Sequence, residues 1–341
     1  MNRVTLKQLA DILGLSTGTV SKALKDYYDI SPETKRRVKE LAEKLNYVPN
    51  ALAVNFRTKE TKTIGLIIPE VVHHFFSNVI KGIIEEAEKL NYLVIILPSN
   101  ESFELEKKQL NLLVSKQVDG IIMSLANKTI DYKHINEVID KNIPVILFDK
   151  ISKLVKCSKI IIDDRKAAYN ATNHLIKTGC KKIAHIRGPL EPQNSIDRFL
   201  GYKKALDENN IEYLSNFVYT CDEVSFEEGY QFAEQIIKDH PDIDGIFAIT
   251  DLVATGVITK LNELNIKIPE QVSVIGFSDW FLSRAITPSL TTIYQPGLEI
   301  GKNCFSQLIK EIQFKKNNTN YNYETITLPT SLIVRNSTKT I

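Results

Sequence analysis

TIGLIIPEV, residues 63–71, is a short β-branched run closed by a proline, and KIAHIRGPL, residues 182–190, echoes it further along the chain. The echo has company. NYLVIILPSNES (91–102), VDGIIMSLAN (118–127) and IPVILFDK (143–150) recur in the same order as NFVYTCDEVS (216–225), IDGIFAITDL (243–252) and VSVIGFSD (272–279). Short apolar runs alternating with helical-period segments signal parallel βαβ units, and an order that repeats signals two similar lobes. After Ser289, LTTIYQPGLEIGKNCFSQLIKEI (290–312) and the strand-like YETITLPTSLIVR (323–335) supply at least two further passes between the lobes. The expected body is residues 63–341, with a first lobe of about 63–161 and 291–318 and a second of about 162–290 and 319–341.

Upstream of that body the period changes to helical. Thr5-Leu6-Lys7-Gln8 fits a capping box, and Leu6, Leu9, Ala10 and Leu13 recur at helical spacing until Gly14. Ser16 is placed to cap a second helix that turns Val20, Ala23 and Leu24 inward and leaves Thr17, Gly18, Ser21 and Lys22 outside. Ser31-Pro32-Glu33 starts a third, which buries Val38, Leu41, Ala42 and Leu45. Three short helices with a glycine-containing turn between the first two describe a helix-turn-helix module over residues 1–48. Residues 1–60 carry 11 Lys/Arg against 7 Asp/Glu, whereas the whole chain has a net charge of only +2, so a basic head precedes a slightly acidic body. That asymmetry points to a polyanion at the N-terminus. With the second helix in a major groove, Thr17, Ser21 and Lys22 would meet bases or phosphates, and Gly18 would permit close backbone approach. A three-helix protein-interaction module is the rival reading of the head.

Pro49, a cap at Asn50 and a short helical stretch from Ala51 to Arg57 precede a polar linker, Thr58–Thr63. An isolated helix of that length is marginal in water, where about 12–15 residues are needed, so it calls for a partner. Here VTLKQLADILGLSTGTVSKAL, ISPETKRRVKELAEKLNYVPN and the segment ending at Phe56 resemble the head and hinge helix of the LacI/GalR family of bacterial regulators. The resemblance implies a DNA-binding homodimer on a pseudo-palindromic duplex operator, and a hinge region at 49–62. It implies DNA contacts from Thr5, Ser16, Thr17, Gly18, Thr19, Ser21, Lys22, Asn50 and Ala53, with Phe56 where a leucine usually wedges into the minor groove. With the two lobes it extends over nearly the whole chain, to a fold like that of the periplasmic binding proteins with parallel sheets.

Ligands of open α/β sheets sit beyond the carboxyl ends of the strands, and two facing lobes would place both sets of ends in one cleft. Phe75 and Phe76 follow the first strand and Asp163 stands where the chain crosses over; Arg198, Asp251, Ser278 and Asp279 come from the second lobe, and Gln295 from the last crossover. Family resemblance assigns Arg198 and the strand-end polar groups to effector contacts and the two phenylalanines to an apolar wall. This mix suits a sugar or related polyol, with charge-assisted hydrogen bonds to hydroxyls and an aromatic face over C–H groups. Taken singly, Asp251 is also a natural helix cap, Phe75 and Phe76 are also natural core, and Arg198 is also a natural ion-pair partner. Ser278 stands where many sugar-responsive relatives carry aspartate.

Other classes find little support. The chain has no G-x-G-x-x-G at a strand-to-helix turn and no G-x-S-x-G, and GLEIGK (297–302) is one residue short between its glycines for a phosphate-binding loop. His73 and His74 lack the i, i+4 spacing of a helical zinc pair and read as structural or pocket-lining. The four cysteines are far apart and read as small buried hydrophobes, so neither metal nor cofactor is expected. No apolar leader and no run of 18 apolar residues is present, so the expected location is the cytoplasm, with no membrane contact. A cytosolic sugar receptor or a sugar-modifying enzyme on the same lobes is the alternative.

Overall fold

A computed structural model of the chain describes residues 4–47, 60–71, 74–317, 319 and 321–340. They fall into two compact units, Met1–Lys62 and Thr63–Ile341. Asn50, Ala53 and Phe56, and with them the expected hinge helix, lie outside the described residues, as does His73.

The first unit is built from α1 (Leu6–Leu13), α2 (Thr17–Leu24) and α3 (Pro32–Lys44). Each begins at a hydroxyl cap. Thr5 accepts from the Gln8 amide while the Gln8 side chain accepts from the Thr5 amide, closing a capping box; Ser16 and Ser31 accept from Thr19 and Thr34. Such a cap is worth about 1 kcal/mol, a large share of the stability of an eight-residue helix. Gly14 ends α1 in the left-handed region at φ 65°, where a side chain would be strained. Leu9, Ala10, Val20, Ala23, Val38 and Ala42 form the core that the helical spacing predicts.

The second unit has two six-stranded sheets. The first-lobe sheet holds β1 (Thr63–Ile68), β2 (Leu93–Pro98), β3 (Gly120–Met123), β4 (Val145–Phe148) and β5 (Ser158–Ile162); the second-lobe sheet holds β6 (Ile183–Arg187), β7 (Val218–Thr220), β8 (Gly245–Ala248), β9 (Ser273–Ser278) and β10 (Thr291–Tyr294). With β11 (Thr325–Leu328) and β12 (Ser331–Ile333) added, the orders are β11-β5-β4-β3-β1-β2 and β12-β10-β9-β8-β6-β7. All pairings are parallel except β10 with β12. The helices between them are α4 (His74–Lys89), α5 (Phe103–Ser115), α6 (Lys133–Asp140), α7 (Asp164–Lys177), α8 (Gln193–Glu208), α9 (Phe226–Asp239), α10 (Asp251–Glu263), α11 (Leu282–Ala285) and α12 (Gly297–Lys316).

The repeat read from the strands is therefore real, but the C-terminal passes are allotted differently. Thr291–Tyr294, expected in the first lobe, is β10 of the second-lobe sheet, and Thr325–Leu328, expected in the second, is β11 of the first-lobe sheet. The parallel register of β10 with β9, Thr291 opposite Ile275, and of β11 with β5, Thr325 opposite Lys159, fixes this. The chain thus crosses between lobes after β5, after β10 and after β11. Helix pairs pack tightly against one another through small residues. A Cβ on Gly256 would stand 2.1 Å from the Phe226 carbonyl oxygen, and one on Gly82 2.2 Å from that of Leu298, so α9/α10 and α4/α12 touch backbone to backbone. All four cysteines are buried and unpaired with one another.

Candidate functional site

In the head, α2 presents an outer face on which Thr17, Gly18 and Lys22 are exposed and Thr19 and Ser21 half-buried. Not every expected contact group is free. The Ser16 and Thr19 hydroxyls share a 2.9 Å hydrogen bond within the cap, and the Thr5 hydroxyl serves its own capping box. Lys22, expected at a base, is ion-paired with Asp29, which raises its pKa. Gly18 has helical backbone, and a Cβ there would meet only the Ser16 hydroxyl at 3.6 Å, so nothing inside the head demands a glycine. Sequence reasoning passed over Tyr28, which is 96% exposed just beyond α2, an unusual place for an aromatic ring with nothing to cover it.

In the body, the carboxyl ends of both sheets face one cleft with about 770 Å³ of empty space, its open mouth included. From the first lobe come Glu70 after β1, Phe75 and Phe76 at the start of α4, Glu101 after β2, Asn127 after β3, and Asp149 and Lys150 after β4. Phe75 and Phe76 meet edge to face at 5.3 Å, and Phe76 rests on Phe148, so they are a pocket wall and a core cap at once. Lys150 is clamped by Glu101 and by the Asn127 side-chain oxygen at 2.6 Å, and the Asn127 amide donates to Glu101 at 2.7 Å. That knot ties the loops after β2, β3 and β4 together.

The second lobe contributes Asn194, Ser195 and Arg198 from α8, Glu223 after β7, Thr250 after β8 and Ser278 at the end of β9, with Gln295 at the crossing that follows β10. Arg198 is deeply buried. Its Nε donates to Asp164 at 2.8 Å and its Nη1 to the Ile249 carbonyl at 3.0 Å, while the guanidinium lies 3.7 Å from the centre of the Phe277 ring. Burial pushes the Asp164 carboxyl up to about 7, with Arg198 opposing. Burial also raises Asp149, against Arg198 and Lys150, and Asn194 donates to it at 3.2 Å.

Three expected effector residues do not line this cleft. Asp163 is an exposed N-cap, accepting from the Lys166 amide at 2.9 Å; the crossover carboxylate that reaches Arg198 is its neighbour Asp164. Asp251 is fully buried at the first turn of α10 and accepts from the Trp280 amide at 2.7 Å and the Thr292 hydroxyl at 2.5 Å, with burial raising its pKa to about 6. Asp279 is bound to Arg335 at 2.5 Å and Arg284 at 3.3 Å. Asp251 and Asp279 build the turn that carries Ser278, which sits at φ 126°, a region that costs a non-glycine residue about 1–3 kcal/mol. At the mouth, Trp280 of the second lobe faces His74 of the first, ring centres 6.3 Å apart, and burial lowers the His74 pKa against the pull of Asp279. Glu70, Glu101, Asn127, Asp149, Lys150, Asn194, Glu223 and Thr250 were not singled out from the sequence, although all but Asn194, which opens α8, follow a strand in the runs that carry the repeat.

Comparison with known proteins agrees with this geometry. The family model described as bacterial regulatory proteins of the lacI family matches residues 5–50, and that described as periplasmic binding proteins and sugar binding domain of the LacI family matches residues 61–335. The ribose operon repressor of Halalkalibacterium halodurans is 32% identical over 335 residues, 98% of this chain and 97% of that protein. Catabolite control protein A of Priestia megaterium is 31% identical over 98% of this chain and 99% of its own length. Among solved structures, a LacI family transcriptional regulator from Enterococcus faecium with bound ribose is 30% identical with a TM-score of 0.72, covering 81% of this chain and 98% of that one. The lac repressor dimer bound to operator and the anti-inducer ONPF, 24% identical, shares the fold with a TM-score of 0.88 over 99% of this chain and 100% of that one.

Proposed function

Because the chain belongs to the LacI family of bacterial regulatory proteins, and is thus a DNA-binding transcriptional regulator with a ligand-binding body, we propose that it binds a pseudo-palindromic operator as a homodimer and answers to a hydroxylated small molecule in the cleft. The observation that carries this is the union, in one chain, of a capped three-helix head with an open α2 face and a cleft walled by strand ends of both lobes. Thr17, Ser21 and the backbone at Gly18 meet the DNA, with Lys22 released from Asp29 on contact with phosphate. Phe75 and Phe76 cover the ligand's C–H face, while Arg198, held rigid by Asp164, and Ser278 and Gln295 address its hydroxyls. Asp163, Asp251 and Asp279 take scaffold roles.

A ligand that binds the closed cleft more tightly than the open one shifts the population toward closure by that difference in affinity. The chain enters the body at β1, so a change in the placement of two first lobes in a dimer changes the separation of the two DNA-bound ends. The free edge strand β2, each of whose six residues is at least partly exposed, with Leu93 at 63%, supports pairing of two copies through the first lobe. The protein works in the cytoplasm, on the nucleoid when DNA-bound, and turns over no substrate. Among the described residues no helix is long and apolar enough to cross a membrane. The test is selection of genomic fragments by the purified protein, repeated with a panel of small polyols. Enrichment of one palindromic site that a compound shifts supports the reading; tight ligand binding with no enriched site overturns it in favour of a receptor or an enzyme.

A further inference from the structure

We propose that the natural occupant of the cleft carries a protonated amine, as an amino sugar does, and that its ammonium group is held between Glu70 of the first lobe and Glu223 of the second. This deepens the ligand-responsive reading above and rests on it. Four carboxylates, Glu70, Glu101, Asp149 and Glu223, line the cleft against two cations, Lys150 and Arg198. Both cations are already engaged, Lys150 by Glu101 and Asn127, Arg198 by Asp164 and the Ile249 carbonyl. A phosphate or carboxylate on the ligand would have to compete with Glu101 and Asp164 for these two cations, whereas the remaining N–H groups of Arg198 suffice for hydroxyls.

The carboxylates of Glu70 and Glu223 have no hydrogen-bond or ion-pair partner among the described residues. They approach one space from opposite walls, and both also border the adjoining hollow at the mouth beside His74 and Trp280. Bringing two like charges together while shedding their water is unfavourable, so closure over an uncharged ligand works against these two groups. A cation with several N–H donors turns that penalty into attraction between each wall and the ligand.

Independent groups show that the rest of the ligand is hydroxylated. Ser195, 4% exposed, lines the cleft with a buried hydroxyl that has no partner, and Gln295, 7% exposed, lines it too. Buried polar groups of this kind are satisfied by something, and in a cleft that something is ligand or water. Beside them the Phe75 and Phe76 rings offer an apolar face for a sugar ring.

The experiment uses full-length protein and matched triples: D-glucosamine, D-glucose and D-glucose 6-phosphate, with the corresponding galactose and mannose compounds. Binding is read by calorimetry and by fluorescence of Trp280, the chain's single tryptophan, which stacks on His74 across the mouth. In at least one triple the amine should bind about tenfold or more tighter than the neutral parent, as a charge-assisted contact implies, and the phosphate should bind more weakly than either. Glu70→Gln and Glu223→Gln should each shrink that advantage to about threefold or less, with the amine binding more weakly and the neutral parent no more weakly than before, since repulsion between the two walls is relieved. Tighter binding of a neutral or phosphorylated member, or an amine advantage that survives both substitutions, overturns the inference and leaves the ligand-responsive reading standing. Silence across all the triples removes both.

Discussion

Arg198→Ala removes a side chain that does two jobs, and the two are separable by pH. In the folded chain its Nε neutralises Asp164 at 2.8 Å, where the side chains are 6% and 10% exposed. Even with that guanidinium beside it, burial holds the Asp164 carboxyl at about 7, above its ordinary 3.8. A carboxyl whose folded pKa lies above its unfolded value takes up a proton on folding. It favours the native state at low pH, and that contribution is lost as pH rises from 3.8 through 7. Without Arg198 the folded pKa climbs further, so at pH 8 the variant holds a buried charge with no partner or a proton drawn from dilute solution. Protonation is the cheaper escape, and relative to the parent it costs at most about 1.4 kcal/mol at pH 8. At pH 5.5 Asp164 is mostly protonated in both proteins, and the loss reduces to the donation to Ile249 and the contact with the Phe277 face, about 1–2 kcal/mol. Urea unfolding of the body, followed by circular dichroism and Trp280 fluorescence, should therefore show a destabilisation about 1 kcal/mol larger at pH 8 than at pH 5.5, the most that a parent carboxyl at about 7 allows over that range. Equal destabilisation at the two values refutes the linkage to Asp164. At pH 6, where the variant stays folded, it should bind operator DNA and no longer release or tighten on ligand.

Gly18→Ala should raise the thermal stability of the head by about 1 kcal/mol, since an added methyl gains helix propensity and meets only Ser16, yet weaken operator binding measured by fluorescence anisotropy about tenfold or more; unchanged affinity would place Gly18 away from the duplex. Asp29→Asn frees Lys22 and should tighten DNA binding, with a steeper loss of affinity as salt rises; a flat salt profile in the parent protein would argue against phosphate contacts altogether. Glu311, buried on α12 with one carboxylate oxygen unpaired, is raised by burial from 4.5 to about 7. Glu311→Gln should stabilise the body by about 3 kcal/mol at pH 8.5, fading to nothing near pH 4.5, and a pH-independent gain in urea unfolding would sink that account.

What the sequence displays most clearly is whatever a local pattern encodes. The caps at Thr5, Ser16 and Ser31 are set by a hydroxyl three residues before the amide it accepts from, so they can be read directly. The two lobes are legible because each strand recurs. Phe75, Phe76, Arg198, Ser278 and Gln295 are legible as cleft residues because strand ends and crossovers converge there. Asp163 misleads because the same position serves a helix cap and a cleft wall equally well, and Asp251, one residue past the cap Thr250, because its carboxylate turns to the Trp280 amide and the Thr292 hydroxyl, contacts that exist only in the folded chain. The Lys150, Glu101 and Asn127 knot is invisible along the chain, since three loops have to meet before any of its contacts exists. The exchange of β10 and β11 between lobes is hidden for a related reason: both are short apolar runs that would suit either sheet, and their register with β9 and β5 is a tertiary choice.

The three crossings between lobes, after β5, β10 and β11, carry a mechanical consequence. Two bodies joined by one flexible tether can swivel, twist and drift apart. Joined by three passes of chain, they keep far less freedom to swivel or drift apart, and bending where those passes cross is the motion left to them. Helices seated backbone to backbone at Gly82 and Gly256 leave each lobe stiff, so strain put in at the cleft has few internal modes in which to dissipate. A ligand that gains a few contacts on both walls then works a single coordinate, and the far end of the lobe travels farther than the wall that was touched, as the long arm of a lever does.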